Sequence, residues 1–384
     1  MKYDYIIAGS GCAGLSLLYQ ILNDPILNKK NILVIDKITK VTNDRTWCYW
    51  ESEKGPFDSI VSHEWKTLEF VTSDFTQRFD LEHYSYKMIK GINFYNIVLS
   101  LAKKFENVKF KFEKIEKIQT EHNYAFVQTE NAKYISEYVF NSTNIFNPKI
   151  NSGNSLLQHF EGWVIKTENP TFNNKIGTLM DFRLNQRHGA TFMYVLPTTS
   201  NEALIEYTLF SEKTLEKEQY KTEIENYIRD YLKIEQYEIT HKEFGIIPMS
   251  LAQFSRNPTS GEKIINIGTA GGFTKASSGY TFQFIQKNTE KIISNLRKGN
   301  YPNPKITFRD KMFQWYDRTV LEVIISQKMT GKEIFSIMFK KLPPEKILAF
   351  LGNESKFIDD IKIMNSLPKI PFLIAGMKRL REVK

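Results

Sequence analysis

The chain has 384 residues, 41 % hydrophobic and 25 % charged, an ordinary globular composition that requires no disorder and leaves room for two connected domains around a sizeable core. Its 52 Lys and Arg against 43 Asp and Glu give a formal charge of +9, compatible with an anionic membrane surface or a lysine-rich genome, while no compact basic motif points to nucleic acid. Two cysteines, Cys12 and Cys48, are too few for a disulfide framework, and no pair among them and the six histidines has metal-ligand spacing, so reduced thiols and no metal are expected.

The chain opens on a strand, Tyr3 to Ala8, with no signal peptide and no apolar stretch of the ~18–20 residues a spanning helix needs, so a cytoplasmic protein is expected. Gly9, Gly11 and Gly14 follow in the frame G-x-G-x-x-G, a helix runs from Ala13 to Asn23, and a second apolar strand, Ile32 to Asp36, ends in an acid 22 residues beyond Gly14. A tight turn at Gly9, close backbone approach at Gly11 and close helix packing at Gly14 let a pyrophosphate sit on the helix N-terminus, beside Cys12 and Ala13. Asp36 then takes the ribose hydroxyls and weighs against a 2′-phosphate. A glycine-rich turn in another α/β protein leaves the acid unexplained. The motif does not separate FAD from NAD; its place at the start of the chain favours FAD.

A helix near Phe94 to Phe105 and strands at Val108 to Phe112, Ala125 to Thr129 and Tyr134 to Phe140 continue the nucleotide domain. Alternating runs at Lys175 to Arg183, Thr191 to Leu196 and Ala203 to Phe210 predict adjacent antiparallel strands, and Thr214 to Ile234 predicts a one-faced helix. Lys263 to Gly268 returns to a buried strand ending in Gly268-Thr269-Ala270-Gly271-Gly272, before a helix from about Ser278. A second glycine-rich strand-to-helix junction so far along is what a chain makes when it leaves one domain, builds another and comes back. This assigns 1–45, 91–160 and 245–300 to a Rossmann-like domain, 46–90 and 161–244 to an inserted antiparallel-sheet substrate domain, and 301–384 to a helical segment. That segment ends in an apolar and basic stretch, Ile370 to Arg381.

Trp47, Tyr49 and Trp50 crowd the stretch after the ribose-binding strand. Alone they read as core, but their position places them near the reactive end of the cofactor, where aromatic faces hold a cation or a flat apolar ligand. Asp181 and Glu206 each interrupt an apolar strand with an acid. Either is an outward-facing carboxylate or a general acid held protonated by its apolar surround. A serine-hydrolase elbow and a P-loop lysine are both missing from the sequence.

In this order the pieces resemble the flavin-dependent lycopene β-cyclases of bacterial carotenoid synthesis. The resemblance runs through Leu15-Ser16-Leu17 after the glycine frame, Asp44-Arg45-Thr46-Trp47, Leu179-Met180-Asp181-Phe182-Arg183, Tyr194-Val195-Leu196-Pro197, Leu204-Ile205-Glu206-Tyr207-Thr208, Gly245-Ile246-Ile247-Pro248-Met249 and Ser278-Gly279-Tyr280. In the tail it continues through Asp317-Arg318, Ile334-Phe335, Ser366-Leu367-Pro368 and Pro371-Phe372-Leu373.

The resemblance implies an FAD-binding Rossmann-like α/β fold of flavin-hydroxylase type and a bound FAD that must be reduced, with NAD(P)H as an electron source. The reaction it implies has no net redox change, converting the ψ-end groups of lycopene or related acyclic carotenoids to β-rings, giving β-carotene through γ-carotene. Glu206 maps to the first acid of the family's F-x-E-E-T motif, and Asp181 is the second candidate, tuning Glu206 or accepting a proton. Arg45, Gly268, Gly271, Gly272 and Gly279 join the cofactor site, and Trp47, Tyr49, Trp50 and Tyr280 the substrate site. The chain departs from the family at Leu204 for Phe, at Tyr207 for the second motif Glu, and at Lys275-Ala276 where many relatives have His-Pro. Because lycopene resides in the bilayer, Ile370 to Arg381 is expected to lie at the inner membrane face, apolar side in the lipid and basic residues at the headgroups; an ordinary helix packed on the nucleotide domain is the alternative. A geranylgeranyl-reductase-like or monooxygenase-like enzyme and a non-catalytic lipid-escort protein are the other readings of this fold.

Overall fold

Two near-continuous apolar runs, Tyr5 to Ala8 and Ile32 to Ile35, have no polar alternation and therefore need cover on both faces, the mark of parallel strands inside an α/β sheet. The computed structural model describes residues 2–259 and 261–380 and bears this out. In chain order the elements are β1 (Lys2–Ala8), α1 (Cys12–Leu22), β2 (Ile32–Asp36), β3 (Thr46–Glu51), β4 (His63–Trp65), β5 (Thr67–Val71), β6 (Thr76–Asp80), β7 (Ser85–Lys90) and α2 (Gly91–Ala102). There follow β8 (Val108–Phe112), β9 (Ile115–Glu121), β10 (Tyr124–Thr129), β11 (Lys133–Asn141), β12 (Ser155–Lys166), β13 (Ile176–Asp181), β14 (Ala190–Pro197), β15 (Glu202–Ser211), α3 (Lys217–Asp230), β16 (Glu238–Ser250) and β17 (Ile264–Asn266). The helices α4 (Phe282–Arg297), α5 (Phe308–Ile325), α6 (Gly331–Lys341), α7 (Pro344–Leu351), α8 (Phe357–Ser366) and α9 (Lys369–Leu380) complete the described chain.

The first sheet has the order β8-β2-β1-β11-β10-β9, with β17 also paired to β11. Strands β8, β2, β1, β11 and β17 run parallel, and β9 to β11 form an antiparallel meander. Tyr5, Ile7, Ile32 and Val34 pack against α1, α2 and α4, while Ile6, Ala8, Leu33 and Ile35 pack with Ile118, Ala125 and Val127 of the meander, so both faces of the central strands are dry.

The second sheet, β16-β12-β15-β14-β13-β5-β6, is antiparallel except for the β13–β5 pair. Its strand β14 is buried at all eight positions because α3 covers one face and the C-terminal helices the other. Strands β12 and β16 belong to this sheet along their whole length, so the domain boundaries expected at 160/161 and 244/245 fall inside single strands. A third sheet, β3-β7-β4, lies between the other two and packs on α4.

Helices α5 and α6 start at Thr307 and Thr330, whose side chains cap backbone amides of Asp310 and Glu333 while those acids reach back. The tail helix α9 docks on α5: Trp315 donates to the Gly376 carbonyl at 2.9 Å, Lys378 reaches Glu322 at 2.5 Å, and Arg379 binds the same carboxylate. Arg379 is largely covered by this contact, while the Lys378 side chain remains mostly exposed. Ile370, Leu373, Ile374, Met377 and Leu380 lie exposed. Arg381, also assigned to that surface, lies outside the described residues.

Candidate active site

The phosphate turn is built by steric exclusion. A Cβ on Gly14 would lie 2.0 Å from the Gly9 carbonyl oxygen and 2.9 Å from an Ile7 methyl, so only glycine lets α1 sit this close to β1, whereas a Cβ on Gly11 would meet nothing within 4 Å. Helix α1 begins at Cys12 with no side-chain cap and no acid in its first turn, leaving its amides free for an anion. Asp36 accepts from the Ser10 amide at 2.6 Å and the Ser10 hydroxyl at 2.8 Å, tying the end of β2 to the turn. An open cradle at Gly11, uncapped amides and an acid at the tip of β2 fit the pyrophosphate and ribose of a dinucleotide.

From this turn a cleft of about 370 Å³ runs to the second sheet. Gly11, Cys12, Ala13, Arg45, Trp47, Gly268 and Gly279 line its cofactor side; Tyr86, Tyr194, Leu204, Glu206, Glu243 and Tyr280 line the far side. Gly271 and Gly272 instead border an adjoining cavity of about 790 Å³ that shares Pro248 and Thr269 with the cleft. Burial pushes both cysteine thiols up, Cys12 to about 12, so both are neutral.

Strand register brings the acids together. Tyr194 on β14 pairs with Glu206 on β15, Glu206 with Gly162 on β12, and Gly162 with Glu243 on β16, so two carboxyls flank a glycine in one row of one face. Glu206 is pushed up to about 8, first by burial and then by the charge of Glu243; a 2.8 Å bond from the Thr208 hydroxyl opposes the rise. What surface Glu206 exposes faces the cleft. Glu243 is 5 % exposed, and neither of its oxygens completes a hydrogen bond with a protein group. Burial pushes it up to about 7, while Thr46 and the Arg45 charge nearby hold it down.

Glu243 escaped the sequence reading because it sits in a strand whose alternating partners, Lys242 and Phe244, look like a solvated edge. The detectable signal was its place two residues before Gly245, on the same face of the strand.

Asp181 is not brought to this cleft, which corrects its assignment as partner of Glu206. It faces α3 on the opposite side of the sheet, where its carboxylate is held by the Arg183 guanidinium at 2.5 Å and the Tyr227 hydroxyl at 2.7 Å. Tyr207 lies on that same opposite face, buried beside Tyr220, so the residue standing in for the second motif acid does not reach the cleft. The aromatic cluster divides in the same way. Trp47 lines the cleft, but Tyr49 points into the nucleotide-domain core against Phe282, and Trp50, 1 % exposed, sits behind Tyr280. Cys48, which the sequence reading left out of the site, takes the cleft-facing position between them.

Lys275, at the departure from His-Pro, is buried and bridges to Asp317 on α5 at 2.6 Å and to Asn353 at 2.7 Å. It fastens the second glycine turn to the helical segment.

Among solved structures the fold is similar to a geranylgeranyl bacteriochlorophyll reductase-like protein from Thermoplasma acidophilum, at TM-score 0.66 and 12 % identity over 100 % of this chain and 99 % of that one. It is also similar to a flavoprotein/dehydrogenase from Cytophaga hutchinsonii, at 0.62 and 12 % over 100 % of both chains, and to halogenase PltM in complex with phloroglucinol and FAD, at 0.54 and 11 % over 88 % and 77 %. At such identities the likeness establishes the fold of FAD-dependent flavoproteins. A search of curated protein sequences finds no significant match. The family model described as "Lycopene cyclase protein" matches residues 4–377, nearly the whole chain, and the protein is thus a member of the lycopene cyclase family.

Proposed function

We propose that this family member is a lycopene β-cyclase, in which Glu206 starts ring closure by protonating the terminal double bond of a ψ-end group. The observation that carries the reading is a carboxyl held protonated near neutrality in the wall of a cleft that begins at a dinucleotide turn. A general acid works best when its pKa lies near the operating pH, and burial has moved Glu206 there. The tertiary cation is then attacked by the neighbouring double bond, and loss of a ring proton yields the β end group; substrate and product are isomers.

Tyr86, Tyr194 and Tyr280 form the walls around the acid, and their hydroxyls are held neutral by burial, so they offer ring faces and no competing charge. Gly9 to Gly14, Asp36 and Arg45 would hold the dinucleotide, with Gly268 and Gly279 lining the same cleft and Gly271 and Gly272 bordering the adjoining cavity. Bound there, FAD kept reduced by NAD(P)H or another donor would supply negative charge to stabilise a cationic intermediate. Trp47 and Tyr280 line the path of the substrate. Among the described residues no helix is long and apolar enough to cross a membrane. The exposed apolar side of α9 is the surface we assign to a peripheral contact with the bilayer from which the carotenoid enters.

The test is expression in a bacterium engineered to accumulate lycopene, with Glu206→Gln alongside, and chromatography of the pigments. Cyclic carotenes from the wild type and none from the FAD-loaded variant are expected. Unchanged lycopene from FAD-loaded wild type would replace this reading with an isoprenoid reductase, recognisable by stoichiometric consumption of NAD(P)H.

A further inference from the structure

We propose that Glu243 is the base of the cyclisation, taking the ring proton that leaves the cyclic cation, and that this proton returns to Glu206, which strand register sets on the other side of Gly162. The proposal rests on the assignment of Glu206 as the acid.

Glu243 is buried on β16 with Thr46 beside it but no well-formed hydrogen bond to either oxygen, and it borders the same cleft as Glu206. A buried carboxyl without a well-formed hydrogen bond costs stability wherever it occurs, so its place in a cavity wall points to use by something that enters the cavity. Asp181, the other buried acid of this sheet, is fully engaged on the far face. Strand register sets Glu206 and Glu243 one strand apart on either side of Gly162. A Cβ there would lie 3.1 Å from a Leu204 methyl, 3.2 Å from Glu243 Cγ and 3.4 Å from its Oε1, so a larger residue would crowd the stem of Glu243, and glycine leaves no side chain of its own in the row between the two acids.

The surroundings divide the roles. Arg45 and Thr46 lie on the Glu243 side and favour its carboxylate, with Asp44 and Cys48 the remaining groups felt there. Glu206 faces Cys48, Tyr86, Tyr194 and Tyr280, all neutral, with Thr208 as its hydrogen-bond donor. One proton shared by the pair therefore rests on Glu206.

The step balances. The O–H bond of Glu206 breaks and a C–H bond forms at the alkene terminus; the C–C bond of the ring forms at the expense of the second double bond. A ring C–H bond then breaks, its electrons forming the ring double bond and its proton bonding to Glu243. Transfer of that proton from Glu243 to Glu206 restores the starting state with no oxidant or reductant consumed.

The test uses the FAD-loaded full chain with lycopene in liposomes, measuring kcat/KM against pH for wild type, Glu243→Gln and Glu206→Gln, with FAD content and melting temperature of each. Wild type is expected to give a bell, falling on the acid side as Glu243 is protonated and on the alkaline side as Glu206 ionises. Glu243→Gln is expected to keep FAD, to turn over about 100-fold more slowly, the scale of one lost acid–base group, and to lose the acid limb, an effect that a purely structural role does not produce. Wild-type turnover in Glu243→Gln, or an acid limb that persists in it, overturns the proposal while leaving Glu206 in place. If that variant does not fold, the wild-type profile decides: a single alkaline limb overturns the proposal and a bell supports it. No cyclic product from FAD-loaded wild type overturns the parent reading and this one with it.

Discussion

Replacing Lys275 with Met withdraws an ammonium from a buried carboxylate while keeping most of the side-chain volume. Lys275 is buried, its Nζ lies 2.6 Å from Asp317 Oδ1, and the hydroxyl of Ser277 donates to the same oxygen at 2.7 Å. Breaking a buried pair from one side leaves an uncompensated charge and costs about 3–5 kcal/mol, against about 0–1 kcal/mol for an exposed pair. With an unfolding entropy of about 0.8 kcal/mol/K for a chain of 384 residues, the buried case lowers the melting temperature by about 4–6 °C. The Lys275 backbone also binds Tyr280, whose carbonyl accepts from the Lys275 amide at 2.9 Å, so the loss is felt in the cleft wall. The assay is thermal unfolding followed by circular dichroism, at saturating FAD, for Lys275→Met, Asp317→Asn and the double variant. The double variant is expected to recover most of the loss, since it buries no orphan charge. A drop in Lys275→Met of the size of an exposed pair, or losses that simply add, would refute the view that this ion pair staples the glycine turn to α5.

Gly14→Ala forces a methyl onto the Gly9 carbonyl and pushes α1 off the turn; FAD absorbance of the purified protein is expected to fall with at least a tenfold weaker affinity, about 1.4 kcal/mol. Stability should also decline with pH. Glu206 and Glu243 have raised folded pKa values, about 8 and about 7 against 4.5, so the native state keeps protons that the unfolded chain releases; this contribution is full below pH 4.5 and is lost as pH rises through 7 to 8. Melting temperatures recorded across that window should fall for wild type and fall less steeply in Glu206→Gln, where only Glu243 keeps a raised value. Changing Ile370, Leu373, Ile374 and Met377 together to Ser removes the exposed side of α9 without touching its contacts with Trp315 and Glu322, and is expected to abolish flotation with anionic liposomes while circular dichroism stays unchanged.

The dinucleotide turn was legible in the sequence because everything it needs is contiguous: apolar strand, three glycines in frame, helix, second strand, acid. Sterics dictate Gly9, with its positive φ, and Gly14, packed against the Gly9 carbonyl and Ile7, while Gly11 leaves open the space an approaching ligand needs. Glu206 was likewise legible, as an acid interrupting an apolar strand, and so were the elements with strong periodicity, whereas the short strands between residues 46 and 90 and the long strands β12 and β16 were not.

What the sequence left open was which way side chains turn once strands pair. Asp181 and Glu206 look alike along the chain, yet one faces α3 and an arginine while the other faces the cleft. Tyr49 and Trp50 share a motif with Trp47 and end in two different cores. The ion pairs of Lys378 and Arg379 with Glu322, more than fifty residues back on α5, are invisible in the sequence. Glu243 acquires its meaning only because β12 inserts between β15 and β16 and sets a glycine, and no side chain, opposite both acids. The fold class follows from local patterns, but the second carboxyl of the site is a product of strand register, which pairs residues by the geometry of the sheet and not by their distance along the chain.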